Sequence, residues 1–199
     1  MIKYPDSLEK LIDDFKKYPG IGPKSAERLA FYTILNLGRD NVKQFSQDLL
    51  SAIDNIKLCE NCGMITDSKT CYICDDIERS NKMLIVENSK DVMAFEKTNS
   101  YDGKYFVLNG VISPLNGVDA ETLQLDKMVC HIHNENIQEV IIATSSTIDG
   151  EMTAMYIKKL LENENVKVYR IGYGLPAGAD IEYADDITLM RALASKKQI

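Results

Sequence analysis

The sequence lacks any apolar run that approaches the roughly 20 residues needed to cross a membrane. Its first residues also lack the positively charged start and the apolar stretch of a secretory signal peptide. No internal repeat or low-complexity tract interrupts the chain. These absences predict a globular protein of the cytoplasm with no membrane partner, in which thiols stay reduced.

The sequence is also short of positive charge. Lys and Arg number 23 against 30 Asp and Glu, and the net charge of −7 argues against a generally basic nucleic-acid binder. The charge is uneven, because residues 1–57 carry nine basic and eight acidic side chains, whereas residues 58–199 carry fourteen and twenty-two. Any contact with DNA should therefore be local and lie toward the N-terminus.

Four of the five cysteines form two C-x-x-C pairs, Cys59 with Cys62 and Cys71 with Cys74, separated by eight residues. Each pair can wrap one side of a tetrahedral Zn²⁺ ion, and Gly63 permits the tight turn that this requires. Two disulfides or a redox dithiol are the alternatives, but cytoplasmic thiols favour zinc. Four thiolates leave no open position for water, so the predicted zinc is structural.

The spacer between the two cysteine pairs contains few apolar side chains. The zinc knuckle that these pairs would form, residues 59–74, should bury almost nothing apolar. Metal binding would then supply most of the folding free energy of the knuckle, on the order of 10 kcal/mol or more.

The N-terminal segment predicts three helices in a small helical domain. The first should begin with Asp6 as its N-cap, because Glu9 follows at capping-box spacing. The second should run from Pro23 to about residue 37, and the third from about residue 41 to 56. Apolar residues recur every three or four positions in each helix, so the third should close the domain by packing its apolar face inside.

A glycine-rich bend, Gly20-Ile21-Gly22, separates the first two helices. Its backbone N–H groups lie at the positive end of the second helix and offer a site for a phosphate group. Lys24 and Arg28 are four residues apart, so they lie on one helix face and can hold adjacent phosphates. The pattern resembles the helix-hairpin-helix family of DNA-binding modules, which implies that these glycines and cations contact the DNA backbone without reading bases.

Two other interpretations of the bend fit less well. A nucleotide-binding P-loop is excluded, because Pro23 replaces a glycine that it needs and a helix rather than a strand precedes the bend. A plain pair of helices with solvated lysines stays open on the sequence alone.

Strands and helices alternate after Cys74. Apolar stretches predict strands at residues 83–87, 105–108, 139–144 and 166–171. Helical periodicity predicts helices at residues 90–97, 120–134 with Asp119 as the cap, 150–163, and from about residue 185. Alternating elements joined by short links imply a mostly parallel sheet covered on both faces.

Three carboxylates follow the predicted strands at their carboxyl ends, where parallel sheets bind ligands. Glu87 ends the first strand of the sheet, and Asp149 and Glu151 lie just beyond the strand at residues 139–144. Such a cluster can hold Mg²⁺, which prefers oxygen ligands. The arrangement resembles the Toprim domain of topoisomerases, primases and some nucleases. The alternative is that Asp149 and Glu151 only favour a helix N-terminus.

The predicted fold class is therefore α/β, in four parts. They are a helix-hairpin-helix domain at residues 1–57, a four-cysteine zinc finger at residues 58–75, a Toprim-like domain at residues 82–177 and a C-terminal tail helix within residues 178–199. In this order the parts resemble the RecR family of bacterial recombination mediators along essentially the full chain. The stretches that carry the resemblance are residues 19–31, 59–74, 107–118, 143–156 and 174–185.

The resemblance implies a non-enzymatic protein of recombinational DNA repair. Members of the family form homotetrameric rings and act with RecO and RecF proteins to load a recombinase on gapped DNA. It further implies that Lys24 and Arg28 contact DNA, and that the acidic cluster serves partner or metal contacts. Asp149 stands where the family usually has glutamate, which puts its partner contacts in question.

A Mg²⁺-dependent Toprim nuclease or primase-like enzyme is the alternative function. The chain has no separate domain that could supply a topoisomerase tyrosine or a primase template grip. A zinc-stabilised protein-interaction module that never touches nucleic acid is a third and weaker interpretation.

Overall fold

The computed structural model of the protein describes residues 4–172, 174–175 and 177–196. The chain divides into two compact units, one ending at Ile56 and the other beginning at Lys57. The helices are α1 Asp6–Lys16, α2 Pro23–Leu35, α3 Arg39–Asn55, α4 Tyr72–Asp75, α5 Ser89–Glu96, α6 Leu125–Asn134, α7 Ile148–Leu160 and α8 Asp186–Ala194. The strands are β1 Lys57–Leu58, β2 Ile65–Thr66, β3 Ser80–Val86, β4 Gly103–Val107, β5 Glu139–Ile142 and β6 Lys167–Arg170. Among the described residues, no helix has both the length and the apolar character to span a bilayer.

In the first unit, α1 packs against α2 through four buried side chains: Leu8, Ile12, Ala26 and Ala30. The prediction that Asp6 caps α1 is wrong, because Pro5 occupies the cap position and Asp6 is already helical. The carbonyl of Pro5 accepts the first hydrogen bonds of the helix, from the N–H groups of Leu8 and Glu9. Asp6 instead lies in the first turn, where its charge favours the positive end of the helix.

The third helix does not close the helical domain as predicted. None of the residues of α3 is buried. Phe45, Leu49 and Ile53 are all exposed, and Ile53 retains 82% of its accessible surface. The apolar periodicity that predicts the helix is therefore present, but nothing within the described chain covers it.

The second unit is built on a four-stranded parallel sheet with strand order β4-β3-β5-β6. The predicted parallel α/β fold and all four predicted strands are confirmed, with their ends moved by up to three residues. Alternate residues of β3 face opposite sides: Met83 and Ile85 enter the core beneath α6 and α7, and Leu84 and Val86 enter a second core. Both faces are buried, which explains the continuous apolar run.

The helix predicted from residue 120 begins only at Leu125. Asp119 does cap a turn, since its carboxylate accepts the N–H groups of Glu121 and Thr122. Gln124 then adopts a φ of +51°, which interrupts the helical path. The prediction placed the N-cap one turn too early, because the sequence does not reveal a left-handed residue between two helical turns.

Candidate metal centre and nucleic-acid interface

The sulfur atoms of the two C-x-x-C pairs come together at one point. All four Sγ atoms lie within 4.8 Å of one another. The sulfurs of Cys62 and Cys71 are 3.5 Å apart, and those of Cys59 and Cys74 are 3.8 Å apart. A tetrahedral zinc ion with bonds of about 2.3 Å requires sulfur–sulfur edges of about 3.8 Å. The cluster therefore fits a structural zinc ion.

Backbone hydrogen bonds shape the turn after Cys62. Gly63 has a φ of +75°, a conformation that is costly for a residue with a Cβ atom. Its N–H donates to the carbonyl of Cys59 at 3.0 Å, and the N–H of Cys59 donates to the carbonyl of Met64 at 2.7 Å. The N–H of Cys71 donates to the Cys59 sulfur at 3.3 Å, which ties the two pairs together.

Hydrogen bonds among the sulfurs shift the pKa values of three of the cysteines in opposite directions. Bonds with Cys62 and Cys74 lower the pKa of Cys71. A bond with Cys71 raises the pKa of Cys62, and bonds with Cys62 and Cys71 raise the pKa of Cys74. Because zinc binds thiolates, metal binding to this cluster should release protons and depend on pH.

The knuckle is not a separate module, because it covers one face of the sheet. Met64 and Ile73 are each only 1% exposed, and they share a core with Leu84, Val86 and other sheet residues. The expectation that the knuckle buries almost nothing apolar is therefore wrong. The sequence contained a signal for this packing: the second apolar face of β3 requires another element to bury it.

Three hydrogen bonds fasten the knuckle to the rest of the second unit. The N–H of Val107 donates to the carbonyl of Cys62 at 2.7 Å, and the Asn109 side chain donates to the carbonyl of Gly63 at 2.9 Å. The N–H of Ile65 donates to the Ser89 hydroxyl at 3.0 Å. Zinc ligation and packing of the sheet are thus parts of one structure.

Arg79 holds the chain where it leaves the knuckle. Its guanidinium donates to both carboxylate oxygens of Glu96, at 2.8 and 2.6 Å, and to the carbonyl of Gly103 at 3.2 Å. The Tyr105 hydroxyl donates to the same Glu96 carboxylate at 2.8 Å. The Arg79 hydrogen bond, joined by that of Tyr105, lowers the pKa of Glu96.

The predicted DNA-binding residues lie together on an open surface of the first unit. Gly20 has a φ of +80°, and a Cβ atom at either Gly20 or Gly22 would meet nothing within 4 Å. Helix α2 begins directly after Gly22, and Lys24 and Arg28 are both exposed on it. The N–H groups in the first turn of a helix lack intrahelical partners. The geometry suits a phosphate, and DNA contact by these residues stays a prediction.

The acidic residues lie at the carboxyl end of the sheet, each with its own partner. Glu87 follows β3 and accepts the N–H of Ser145 at 2.5 Å. Asp149 and Glu151 lie in the first turn of α7. Asp149 accepts the Ser113 hydroxyl at 2.6 Å. In the part of the chain that the structure describes, only the four cysteines form a cluster of three or more potential metal ligands.

Sequence reasoning missed the arginine that contacts this acidic end. The guanidinium of Arg170, the last residue of β6, lies 3.2 Å from the Glu151 carboxylate. Arg191 of α8 lies 3.6 Å from the same carboxylate. The position of Arg170 at a third strand end was a signal in the sequence, since the ends of parallel strands share one edge.

Comparison with protein families gives four successive matches. The matching family models are the RecR helix-hairpin-helix at residues 8–53, the RecR zinc finger domain with four cysteines at residues 56–76, the Toprim domain at residues 81–172, and the RecR C-terminal region at residues 174–197. Each match falls on the region whose geometry agrees with it: the bend before α2, the sulfur cluster, the parallel sheet and the segment that contains α8.

Proposed function

Because the chain belongs to the RecR family, with its helix-hairpin-helix, zinc-finger, Toprim and C-terminal regions in that order, we propose that it is a DNA-binding mediator of recombinational repair. The family domains support a repair role, and the architecture is consistent with a mediator that performs no reaction itself. The observation that carries the proposal is the open glycine bend, with Lys24 and Arg28 exposed on the helix that follows it.

Sequence-independent binding follows from the groups that this surface presents. Backbone N–H groups and two cations can contact phosphate oxygens, which carry no base information. A mediator that acts wherever DNA is gapped needs this kind of contact. The zinc finger, in contrast, is fastened to the sheet and supplies structure.

Replacing Lys24 and Arg28 together with alanine should weaken binding to duplex DNA by about 10- to 100-fold at low salt, since each cation is expected to neutralise one phosphate. The slope of log affinity against log salt should fall by about two, in proportion to the lost contacts. Fluorescence anisotropy at several salt concentrations measures both quantities.

A matched control removes the same charge elsewhere in the first unit. Lys10→Ala with Lys43→Ala alters two exposed lysines on α1 and α3 and should cost much less affinity. Equal losses in the two double variants would mean that net charge, and not the bend, holds the DNA.

The exposed face of α3 supports the proposal that the protein forms a homo-oligomer, and the family resemblance implies that this oligomer is a tetrameric ring. An apolar helix face of this kind normally marks an interface. A ring also reconciles the net charge of −7 with DNA binding, because several weak basic surfaces act together through effective concentration.

Light scattering tests the oligomer. The natural chain should have the mass of four copies, and Ile53→Asp should reduce it, because a buried unpaired charge costs several kcal/mol at an interface. Ile53 is 82% exposed within one chain, so the variant should still fold. Ser51→Asp places the same charge on an exposed polar position of α3 and should keep the mass of the natural protein. A natural chain with the mass of one copy would refute the proposal.

The proposed role extends to partners and place of action. In this role the ring acts in the cytoplasm with RecO and RecF proteins to load a recombinase onto gapped DNA, as the family resemblance implies. A Mg²⁺-dependent nuclease or primase-like activity is the alternative. That activity would need carboxylates gathered on a cation, and the separate partners of Glu87, Asp149 and Glu151 argue against it.

A further inference from the structure

The carboxyl end of the sheet carries a row of alternating charges. Glu87 follows β3, Arg170 ends β6, and Glu151 opens α7 beside Arg170. Because β5 lies between β3 and β6, Glu87 and Arg170 flank the chain that leaves β5. This is the edge of the sheet at which the acidic residues predict a bound Mg²⁺ ion.

Arg170 is held by more than its ion pair. One of its terminal nitrogens donates to the carbonyl of Ile142 at 2.7 Å. The other donates to the carbonyls of Thr144 and Ser145, at 2.7 and 3.1 Å, and to the Glu151 carboxylate at 3.2 Å. The guanidinium thus satisfies the backbone where β5 ends, and it neutralises a carboxylate of the next helix at the same time.

The peptide of Ser145 connects the two flanking charges. Its N–H donates to Glu87 at 2.5 Å, and its carbonyl oxygen accepts from Arg170 at 3.1 Å. The Glu87 carboxylate therefore faces the N–H group of Ser145, and the Arg170 guanidinium faces the carbonyl oxygen of the same residue. Each of the two charged groups thus has a backbone partner of the opposite polarity on one residue.

Arg191 adds a second positive charge from the C-terminal helix. Its guanidinium lies 3.6 Å from the Glu151 carboxylate that Arg170 also contacts. Glu151 is only 35% exposed and Arg170 only 24%, so water screens this cluster less than an open surface pair. A carboxylate between two guanidinium groups offers little attraction to a third cation.

We propose that Arg170, assisted by Arg191, takes the place of a divalent cation at the acidic end of the sheet, so that this end binds no Mg²⁺ at millimolar concentrations or below. A guanidinium orients carboxylates as a metal does, but it exchanges no ligands and generates no nucleophilic hydroxide. Glu87 and Glu151 then serve to fix the β5–α7 turn. The inference concerns this edge alone and holds whether or not the glycine bend binds DNA.

Manganese binding to the full-length, zinc-loaded protein tests the proposal, with Mn²⁺ as a paramagnetic probe for the Mg²⁺ class of ions. Electron paramagnetic resonance of free Mn²⁺ should show no binding by the natural protein below millimolar concentrations. Arg170→Met with Arg191→Met should bind Mn²⁺ about tenfold more tightly or better, because two charges adjoining a carboxylate are removed. Adding Glu151→Gln to that variant should abolish the gain.

A matched control separates the local effect from net charge. Lys127→Met with Lys167→Met removes two exposed lysines, and Lys167 lies at the opposite end of the strand that carries Arg170. An equal gain in this control, a gain that survives Glu151→Gln, or no gain in a folded double arginine variant would overturn the proposal.

The double arginine variant can fail to fold, since Arg170 holds three backbone carbonyls. Two further measurements keep the proposal testable. The melting temperature of the natural protein should not rise with Mg²⁺, whereas a bound cation stabilises the native state by mass action. Arg191→Met alone, which leaves those carbonyl contacts intact, should raise Mn²⁺ affinity by a smaller factor. A Mg²⁺-dependent rise in melting temperature would overturn the proposal.

Discussion

Loss of zinc should unfold the second unit of the protein and not the knuckle alone. A structural zinc site contributes on the order of 10 kcal/mol, which is comparable to the whole stability of a typical domain. Met64 and Ile73 share a core with Leu84 and Val86, so a knuckle that opens also uncovers one face of the sheet. Cys71→Ser should therefore abolish zinc binding and leave the sheet unfolded at ordinary temperature, so that heating shows no cooperative transition.

Two measurements check this outcome: the zinc content of the purified protein, and circular dichroism during thermal unfolding before and after chelation. Cys130 provides a matched control, because it is exposed and lies outside the sulfur cluster. Cys130→Ser should keep one zinc ion per chain and the melting temperature of the natural protein. A Cys71→Ser variant that melts like the natural protein would show that the knuckle does not stabilise the sheet.

Gly63→Ala should lower the free energy of unfolding by roughly 3 kcal/mol or more, from two separate contributions. The positive φ of Gly63 by itself costs a residue with a Cβ atom about 1–2 kcal/mol. The new Cβ would also lie 2.6 Å from the carbonyl oxygen of Val107 and 3.1 Å from the Asn109 side chain. Because the Val107 oxygen belongs to the backbone of β4, relief of the clash requires that the knuckle and the sheet separate.

Gly117 separates the two contributions. It has a φ of +71°, but a Cβ atom there would meet nothing within 4 Å. Gly117→Ala should therefore lose only the backbone cost, about 1–2 kcal/mol. Urea unfolding monitored by circular dichroism gives both values. Equal losses in the two variants would mean that the predicted clash between the new Cβ atom and β4 costs no stability.

Local patterns were sufficient for much of this structure. The spacing of Cys59, Cys62, Cys71 and Cys74 predicts the sulfur cluster, because two short turns and one ion leave few other arrangements. The apolar runs of the second unit predict β3 to β6, and they are most continuous in β3 and β4, which are buried on both faces. The glycines before α2 predict the bend itself.

The remaining features do not follow from local sequence patterns. The knuckle is held against the sheet by the hydrogen bond from the N–H of Val107 to the carbonyl of Cys62. No local sequence pattern predicts that contact. Helix α3 has the periodicity of a buried helix, yet nothing in the described chain buries its apolar face. Arg170 donates hydrogen bonds to the turn after β5 because β6 is the neighbour of β5. The sequence does not give the strand order β4-β3-β5-β6.

The bond between Val107 and Cys62 also has a consequence for synthesis on the ribosome. All four zinc ligands emerge before β3 and β4, so the growing chain can capture its metal while the surface that the knuckle will cover does not yet exist. In a cell starved of zinc, the nascent sheet would be completed without that cover. Scarcity of the metal should then appear first as aggregation and proteolysis of new chains, while the molecules that have already folded around zinc are spared.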